Sequence, residues 1–413
     1  MAANRLTVRC CIAGGGPAGI MLGLLLARAG VEVLVLEKHA DFLRDFRGDT
    51  IHPSTLEVMH ELGLLEDLLK LPHTKAPRLN AHIGGLGLTI ADFTHLPTQC
   101  RFLAFMPQWD FLNFLAERGA GYPKFRLLMQ AEVTGLIEEA GSVVGLRATT
   151  PDGPLEVRAD LVVGADGRNS VVRAQAGLHV DELGAPMDVL WFRLSRRSGD
   201  PEDPMGRFDA GSIFIMLNRG AYWQCGFVIP KGSLVQLQDR GVAAFQASVA
   251  GIAPFVADRV GELSDWDAVK LLTVRVDRLP RWYRPGLICI GDAAHAMSPI
   301  GGVGINLAIQ DAVAAANLLA GPLRSDRLAT AHLRLLQQRR EWPTRLTQRL
   351  QIFVQNRVIT RVLRSSDRLA PARFIRLFAC FPQLGRIPAR LIGMGFRPEH
   401  IRPTEEGTCQ KQA

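Results

Sequence analysis

The chain has 413 residues, 47% of them hydrophobic, which is enough to bury a large core in two or three domains or in one bilobed unit. No apolar run approaches the roughly 18 residues that span a bilayer, and the N-terminus enters a predicted strand without the apolar core of a signal peptide. We therefore expect a cytoplasmic protein without stable membrane insertion.

The net charge of +8 is concentrated near the C-terminus, where residues 321–402 carry 17 Arg, no Lys and four acidic residues. Such a segment either meets an anionic partner or forms helices with solvated Arg faces. We favour the helices, because Arg outnumbers Lys along the whole chain. No recognisable nucleic-acid module accompanies the segment, so no nucleic-acid partner is predicted.

The seven cysteines have no CxxC spacing, and the ten histidines form no HxxxH or HExxH pattern. The cysteines are therefore predicted to be reduced thiols in a reducing compartment, and no metal site is predicted. The adjacent Cys10 and Cys11 would point to opposite faces of a strand, so no bond between them is expected.

The first predicted unit is a strand, a turn, a helix and a second strand. An apolar strand over 6–13 is followed by GGGPAG, by an apolar-striped helix and by a strand over 31–38. A crossover helix between two strands predicts a parallel sheet. The next segment, 52–71, reads as a helix with Ser54 or Thr55 near its start.

Strand-like segments follow in two blocks. Residues 79–105 are short and glycine-punctuated, whereas residues 186–230 contain three strands, the last two forming a predicted hairpin with its turn at 218–220. A helix over 108–120 and further strands lie between the blocks. After a last strand and a glycine-rich motif, the chain is predicted to be helical to about 395.

Gly14, Gly16 and Gly19 form a GxGxxG pattern between the first strand and the first helix. The first glycine permits a tight turn, the second lets a pyrophosphate approach the backbone, and the third lets the helix pack closely on the strand. Glu37 ends the second strand 23 residues beyond Gly14, where a carboxylate can accept hydrogen bonds from a ribose. This setting predicts a dinucleotide site without distinguishing NAD from FAD.

Two further stretches each place an acid after an apolar strand. GADGRNSVVR contains Asp166, followed at DGxxSxxR spacing by Ser170 and Arg173. GDAAHAMSPIGGVGIN, residues 291–306, begins with Asp292 and leads into a long helix. Alone, an Asp-Gly pair is typical of a turn, and glycines can simply pack a strand against a helix.

Together the motifs resemble the class A flavoprotein monooxygenases, the p-hydroxybenzoate hydroxylase-like family of single-component aromatic hydroxylases. The marks of that family are GxGxxG, DGxxSxxR and GDAxHxxxPxxGxGxN, and all three stand here in that order, over roughly residues 7–320. Arg47 resembles the arginine of the family that reaches FAD, and Gln108 resembles its FAD-contacting glutamine.

The resemblance implies an α/β fold with a Rossmann-like FAD-binding lobe assembled from discontinuous segments, a mainly antiparallel β substrate lobe and a helical C-terminal region. The FAD-binding lobe is predicted to comprise residues 1–78, 106–180 and 278–320. The substrate lobe is predicted to comprise residues 79–105 and 181–277, and the Arg-rich helical region and tail residues 321–413.

In that family, Asp292 would hydrogen-bond the ribityl chain of FAD, and residues 299–306 would lay backbone amides beside the pyrimidine end of the flavin. A helix predicted to start at about 306 would direct its dipole at the N1–C2 carbonyl. The predicted FAD contacts are Gly14, Gly16, Pro17, Ala18, Gly19, Glu37, Lys38, Arg47, Gln108, Val133, Asp166, Gly291, Asp292, Pro299, Gly302, Gly304, Ile305 and Asn306.

The resemblance implies a monooxygenase that uses FAD, NAD(P)H as transient reductant and O2, through a flavin C4a-hydroperoxide, to oxygenate a small or mid-sized aromatic or polyketide-like substrate. The protein would act as a monomer or homodimer. One alternative is a flavin-dependent dehydrogenase or reductase of the same fold without oxygen insertion. Another is a membrane-associated or interaction role for the basic C-terminal helices.

No residue is assigned a certain catalytic role, because the flavin would carry the chemistry. Substrate contacts are expected from the β lobe and from the segment that borders the flavin, although ordinary strand packing explains the same residues. The substrate-pocket candidates are Thr50, His52, Arg193, Met216, Tyr222 and Gln224.

In the C-terminal segment, apolar residues recur at helical spacing: Leu346, Leu350, Phe353 and Val358. This face is predicted to cover the flavin domain or a twin subunit.

Overall fold

The computed structural model describes residues 4–43, 50–202, 204–209, 211–365 and 381–402. The described helices are α1 (Pro17–Arg28), α2 (Pro53–Glu61), α3 (Leu65–Leu68), α4 (Gln108–Ala120), α5 (Val171–Gln175), α6 (Leu234–Asp239), α7 (Val242–Ile252), α8 (Gly304–Arg324), α9 (Thr330–Val354), α10 (Thr360–Leu363) and α11 (Arg386–Gly393). The described strands are β1 (Asn4–Ala13), β2 (Val33–Leu36), β3 (Thr50–Ile51), β4 (Thr74–Ala76), β5 (Arg78–Ile83), β6 (Leu86–Asp92), β7 (Leu103–Phe105), β8 (Phe125–Leu128), β9 (Glu132–Glu139), β10 (Ser142–Thr150), β11 (Gly153–Gly164), β12 (Asp181–Glu182), β13 (Met187–Ser195), β14 (Met205–Asp209), β15 (Ser212–Asn218), β16 (Tyr222–Pro230), β17 (Lys270–Leu272), β18 (Asp277–Arg278), β19 (Tyr283–Arg284) and β20 (Leu287–Cys289).

The first lobe is built on an eight-stranded sheet whose centre is parallel. Strand β1 pairs in parallel with β2 and β11, β2 pairs in parallel with β8, and β11 pairs in parallel with β20. Helix α1 connects β1 to β2 and packs against α8, so the predicted βαβ unit is confirmed. Parallel pairing brings the carboxyl ends of β2, β1, β11 and β20 to one edge of the sheet.

The second lobe is a seven-stranded sheet with the order β17-β13-β16-β15-β14-β5-β6. Strands β5 and β6 come from the first β block, and β5 pairs in parallel with β14 of the second block. The predicted hairpin is confirmed: β15 and β16 pair antiparallel, and the Asn218 side chain accepts a hydrogen bond from the Gly220 amide in the turn. The two blocks therefore form one continuous sheet.

The two faces of this sheet have different neighbours. One face packs an aromatic cluster, including Phe192 and Phe227, against Phe245 of α7. The opposite face joins Ile213 and Val228 in an apolar cluster with residues from the C-terminal helices and from the loop that precedes α8. This second face lies next to the glycine-rich loop of the first lobe, through Ile300.

Helix α9 buries a polar face, contrary to the prediction from its apolar residues. Gln348 and Gln351 are buried, whereas Leu350 is 39% exposed and Phe353 is 60% exposed. Of the two predicted partners of the apolar stripe, the flavin domain is therefore wrong for Leu350 and Phe353, and a twin subunit stays a prediction. Val358 packs into the apolar cluster of the sheet. The buried glutamines form hydrogen bonds with backbone groups of the adjoining loop. Buried backbone N–H and C=O groups without such partners would be unfavourable.

Among the described residues, one helical stretch, 300–324, is long and apolar enough to cross a membrane, and 72% of its most apolar window is buried inside the protein. It contains α8, which packs against α1 and α9, so its apolar character is that of a core helix. The five described cysteines are buried free thiols.

A buried ion pair fixes a loop of the second lobe. Arg259 donates to both carboxylate oxygens of Asp200, at 2.6 and 2.9 Å, and Trp223 donates its indole N–H to the same carboxylate at 2.9 Å. The Asp200 and Arg259 side chains are 7% and 3% exposed. The Arg259 guanidinium holds the pKa of Asp200 well below its usual range.

We expect the substitution Asp200→Asn to lower the free energy of unfolding by about 3 kcal/mol at pH 7, because it leaves Arg259 buried without a counter-charge. The difference from wild type should shrink as the pH falls below about 4, because Asp200 of the unfolded wild-type chain takes up a proton there, whereas the native ion pair stays charged to a much lower pH. Urea unfolding between pH 7 and pH 3 measures both. Asp239→Asn, at an exposed position on α6, is the control. An equal cost of Asp200→Asn at both pH values would contradict this account.

Candidate active site

The GxGxxG turn lies between β1 and α1 in a close-packed corner. Gly14 has a φ of +102°, and a Cβ there would lie 2.4 Å from the carbonyl oxygen of Ala165. A Cβ on Gly19 would lie 1.9 Å from the Gly14 carbonyl oxygen, so the helix approaches the strand more closely than any side chain allows. Gly16 faces open space. The first N–H groups of α1 are therefore accessible to a ligand beside Gly16.

Glu37 lies beside this turn, at the end of β2. Its side chain is buried and accepts hydrogen bonds from the Gly15 amide at 2.8 Å and the His39 amide at 3.1 Å. The next residue, Lys38, is exposed. The Glu37 carboxylate thus binds the residue that precedes Gly16, at the open N-terminus of α1. This is where a carboxylate can bind an adenosine ribose.

Asp166 follows β11 and organises the start of α5. Its carboxylate accepts hydrogen bonds from Ser170 Oγ at 2.5 Å and from the Val171 amide at 2.7 Å. Burial raises the pKa of Asp166 against these hydrogen bonds. Arg173 donates to the carbonyl oxygen of Ala293 at 3.2 Å. The DGxxSxxR motif thus ties the end of β11 to the loop after β20, and a direct contact of Asp166 with FAD stays a prediction.

The segment 291–306, which we call the flavin loop, follows β20 and ends in the first turn of α8. Gly291, Gly301 and Gly302 have φ values of +58°, +78° and +63°, a backbone conformation that favours glycine. A Cβ on Gly291 would lie 3.2 Å from the Ala18 Cβ, so this loop touches the start of α1. Asp292 lies next to that contact and is half-buried.

These corners fit FAD. The Gly14 turn, Glu37 and the flavin loop lie at the carboxyl edge of β1, β2 and β20, where α/β sheets bind nucleotides. Gly16 and Gly304 leave open space at the first turns of α1 and α8, two helix termini whose N–H groups suit a pyrophosphate and an electron-rich flavin edge. A Cβ on Gly16 or Gly304 would extend into this open space, so glycine at these positions leaves room for the cofactor.

The remaining predicted FAD contacts are more dispersed. Pro17 is the first residue of α1, Gln108 is the first residue of α4, and Val133 is half-buried on β9. Pro299 precedes the turn Ile300–Gly302, and Ile305 lies in the first turn of α8. Arg47 lies outside the described residues, so its predicted contact with FAD stays a prediction.

Asn306 is buried and joins the start of α8 to the start of α2. Its side-chain oxygen accepts hydrogen bonds from Ser54 Oγ at 2.7 Å and Thr55 Oγ1 at 2.8 Å. The hydroxyls of Ser54 and Thr55 therefore serve Asn306. The N-cap residue of α2, His52, makes no side-chain capping hydrogen bond. This contact holds the flavin loop against the helix that borders it.

His52 is a structural residue and not part of an open pocket. It is fully buried, and its ring nitrogens lie 2.7 Å from the carbonyl oxygen of Ile392 and 2.9 Å from that of Gly302. Burial lowers the pKa of His52, and a neutral ring donates to one of these oxygens only. The prediction of His52 as a substrate-pocket residue is therefore corrected. Thr50 lies beside it, with its Oγ1 3.1 Å from the place of a Cβ on Gly302.

Three substrate-pocket candidates lie together on the sheet face nearest the flavin loop. Gln224 pairs with Arg193 across β13 and β16, and the Arg193 guanidinium lies 5.0 Å from the centre of the Tyr222 ring. Gln224 is buried and accepts a hydrogen bond from Arg219 Nε at 3.0 Å. Arg219 in turn lies 5.9 Å from the centre of the Phe105 ring. Sequence reasoning did not assign a role to Arg219 or Phe105.

Met216 lies on the other face of the sheet. It is fully buried in the aromatic cluster under α7, together with Cys225 and Phe192. Side chains alternate along a strand, so the even-numbered residues of β15 point away from the flavin loop, whereas the even-numbered residues of β16 point towards it. The prediction of Met216 as a substrate-pocket residue is corrected for this reason.

A buried charged cluster behind the flavin loop was not predicted. Asp311 accepts hydrogen bonds from the Gly291 amide at 3.0 Å, His295 Nε2 at 2.6 Å and Arg340 Nε at 2.9 Å. Burial alone would raise the pKa of Asp311, but His295 and Arg340 hold it below its usual value. Glu399 binds Arg340 from the C-terminal segment. A single charged residue within an apolar helix, such as Asp311 in α8, predicts a buried ion pair. The sequence therefore contained a signal for this cluster.

The fold and these corners define a two-lobed FAD-dependent oxidoreductase. Residues 7–350 match the family described as FAD binding domain, and the chain belongs to that family. It is 36% identical over 366 residues to 6-methylpretetramide 4-monooxygenase of Streptomyces rimosus, an alignment that covers 87% of the chain and 86% of the relative. It is 29% identical over 315 residues to 12-dehydrotetracycline 5-monooxygenase/anhydrotetracycline 6-monooxygenase of Streptomyces rimosus subsp. rimosus, which covers 73% of the chain and 60% of that longer relative.

Solved structures share the fold. OxyS anhydrotetracycline hydroxylase from Streptomyces rimosus superposes with a TM-score of 0.73 at 23% identity, over 94% of the chain and 76% of that protein. The p-nitrophenol 4-monooxygenase PnpA from Pseudomonas putida DLL-E4 superposes with a TM-score of 0.75 at 20% identity, over 95% and 100% of the two chains. The predicted fold class, the FAD cofactor and the class A monooxygenase resemblance are thereby confirmed.

We expect Asp311→Asn to weaken FAD binding about tenfold, because an amide cannot accept from Gly291, His295 and Arg340 together and leaves a buried guanidinium unpaired. FAD release from the diluted holoenzyme, followed by flavin fluorescence, measures the affinity. Asp152→Asn, in an exposed turn, is the matched control. Wild-type FAD affinity in the Asp311 variant would show that the cluster does not support the flavin loop.

Proposed function

We propose that this FAD-dependent monooxygenase hydroxylates a phenolic ring of a tetracyclic aromatic polyketide. NADH or NADPH would supply the electrons, and O2 the inserted oxygen atom. Support comes from the relative named 6-methylpretetramide 4-monooxygenase, which shares 36% identity over nearly the whole chain. A second relative carries 12-dehydrotetracycline and anhydrotetracycline in its name. Bound FAD, once reduced, supplies the redox chemistry that activates O2.

The observation that carries the proposal is the apolar sheet face beside the flavin loop. Ile213, Val228 and Trp191 on this face belong to one apolar cluster with Ile300 of the flavin loop. Trp191 lies flat over Gly226, where a Cβ would lie only 3.1 Å from the indole ring. Ile213 and Val228 are covered by the C-terminal helices, whereas Trp191 at the edge of this face is half-buried. The flat indole ring next to the cofactor loop favours a planar, fused-ring substrate.

Polar groups at the edge of this face would orient the substrate. The indole N–H of Trp191 is buried and has no hydrogen-bond partner within the described ranges. Gln224 and Tyr222 lie on the same side of the sheet, with Arg219 held by Gln224. We assign Trp191 to a carbonyl or phenol oxygen of the substrate, because an unpaired buried donor gains most from such a partner.

We further propose that the enzyme is cytoplasmic and acts as a monomer or homodimer. Buried free thiols at Cys10, Cys11 and Cys289, together with a nicotinamide reductant, suit a reducing compartment. The exposed Leu350 and Phe353 on α9 offer a surface for a second copy.

The direct test is oxygen incorporation. The holoenzyme is supplied with NADH or NADPH under 18O2 and with 6-methylpretetramide, or with p-nitrophenol as a single-ring comparison. We expect the tetracyclic compound to accelerate nicotinamide oxidation and to acquire one 18O atom, detected by mass spectrometry. Hydrogen peroxide as the only oxygen product with tetracyclic compounds would contradict the proposal, and 18O in nitrophenol alone would contradict the substrate class.

The role of Trp191 is tested separately with Trp191→Phe, which keeps an aromatic ring and removes the N–H donor. We expect the KM for the tetracyclic substrate to rise about fivefold with little change in kcat, because the lost hydrogen bond acts in binding. Trp342→Phe, on the exposed side of α9, is the control. An unchanged KM in the Trp191 variant would rule out this contact.

A further inference from the structure

We propose that Gln351, flanked by Gln348 and Gln355 on the buried face of α9, is a positioning residue. It holds the flavin loop in its FAD-binding conformation before FAD arrives. The three glutamines are spaced three and four residues apart, so they lie on one side of the helical stretch that continues α9. All three are buried, with at most 4% of each residue exposed.

Gln351 makes three hydrogen bonds to the loop backbone. Its amide nitrogen donates to the carbonyl oxygens of Ser298 and Ile300, both at 2.9 Å. Its amide oxygen accepts from the Ser298 N–H at 3.2 Å. These bonds grip the peptide groups on both sides of Pro299, which is the start of the segment that borders the flavin.

The neighbouring glutamines also form hydrogen bonds with the loop. Gln348 donates to the carbonyl oxygens of Ala296 at 3.2 Å and of Asp277 at 2.7 Å. Gln355 donates to the hydroxyl of Ser298 at 2.8 Å. Three alternate carbonyls of the flavin loop, those of Ala296, Ser298 and Ile300, are thus bound to helix side chains. These carbonyl oxygens point to α9, which keeps their negative ends away from the cofactor side.

Burying three glutamine amides has a desolvation cost, which their hydrogen bonds to the loop offset. A leucine would fill a similar volume at position 351, but it would leave three buried backbone groups of the loop without partners. The same helix exposes apolar Leu350 and Phe353 while it buries these amides. The pattern of the helix therefore matches the hydrogen-bonding needs of the loop and not the hydrophobic pattern of an ordinary packing helix.

Two consequences follow for FAD. A loop that is already ordered does not lose conformational freedom on binding, so the affinity for FAD rises. A loop whose carbonyls are turned away presents a more positive surface, which stabilises the extra negative charge of reduced flavin. Loss of Gln351 should weaken FAD binding and also make the reduction potential of the bound flavin more negative.

The test compares Gln351→Leu with Gln338→Leu, an exposed position on the same helix. For each holoenzyme, FAD release on dilution gives the affinity, and anaerobic reductive titration gives the midpoint potential of the bound flavin. We expect Gln351→Leu to weaken FAD binding about tenfold and to lower the potential, whereas Gln338→Leu stays at the wild-type values.

A second variant covers the case in which Gln351→Leu does not fold. Gln351→Glu keeps an oxygen that accepts from the Ser298 N–H, but its carboxylate cannot donate to Ser298 and Ile300. It should shift affinity and potential in the same direction. If either variant folds, loses thermal stability and keeps the wild-type potential and FAD affinity, Gln351 only packs the helix, and the proposal is overturned.

Discussion

One constraint shapes the proposed FAD site: backbone that is to border a flat cofactor must carry no side chains on that side, so it has to be held from the opposite side. Gly16 and Gly304 leave open space at the first turns of α1 and α8, whereas Gly14 and Gly302 let the backbone pack closely against Ala165 and Thr50. A bare, glycine-rich segment is flexible by itself and loses more entropy on ordering than other segments do. The protein answers this with buried polar side chains on the opposite side, of which Gln351 and Asp311 make the most contacts to the flavin loop.

These supports come from distant parts of the chain. Asp311 lies on α8, Arg340 lies on α9, and Glu399 follows α11, yet the three form one buried charged cluster. His52 connects the same loop to Ile392 of α11. The C-terminal segment therefore supports the loop that is predicted to bind FAD. Its many Arg residues include Arg339 and Arg340, which share Glu399 as an ion-pair partner, and Arg340 pairs with Asp311 as well.

Local patterns in the sequence predicted the fold and the cofactor well. The turn at Gly14 and the helix over 108–120 depend on neighbouring residues only, so periodicity and glycine spacing suffice for both. Met216 was misplaced because alternation within one strand does not reveal its register with the next strand. The face of α9 was misread because buried Gln351 looks like a solvent-facing residue until the path of the flavin loop is known.

The central claim is that the flavin loop is ordered without its cofactor. Hydrogen–deuterium exchange of residues 291–306 in the FAD-free and FAD-bound protein tests it most directly. We expect slow exchange at the Gly291 and Ser298 amides in both forms, since Asp311 and Gln351 accept their hydrogen bonds. Rapid exchange of both amides in the FAD-free protein, with protection only after FAD is added, would contradict it.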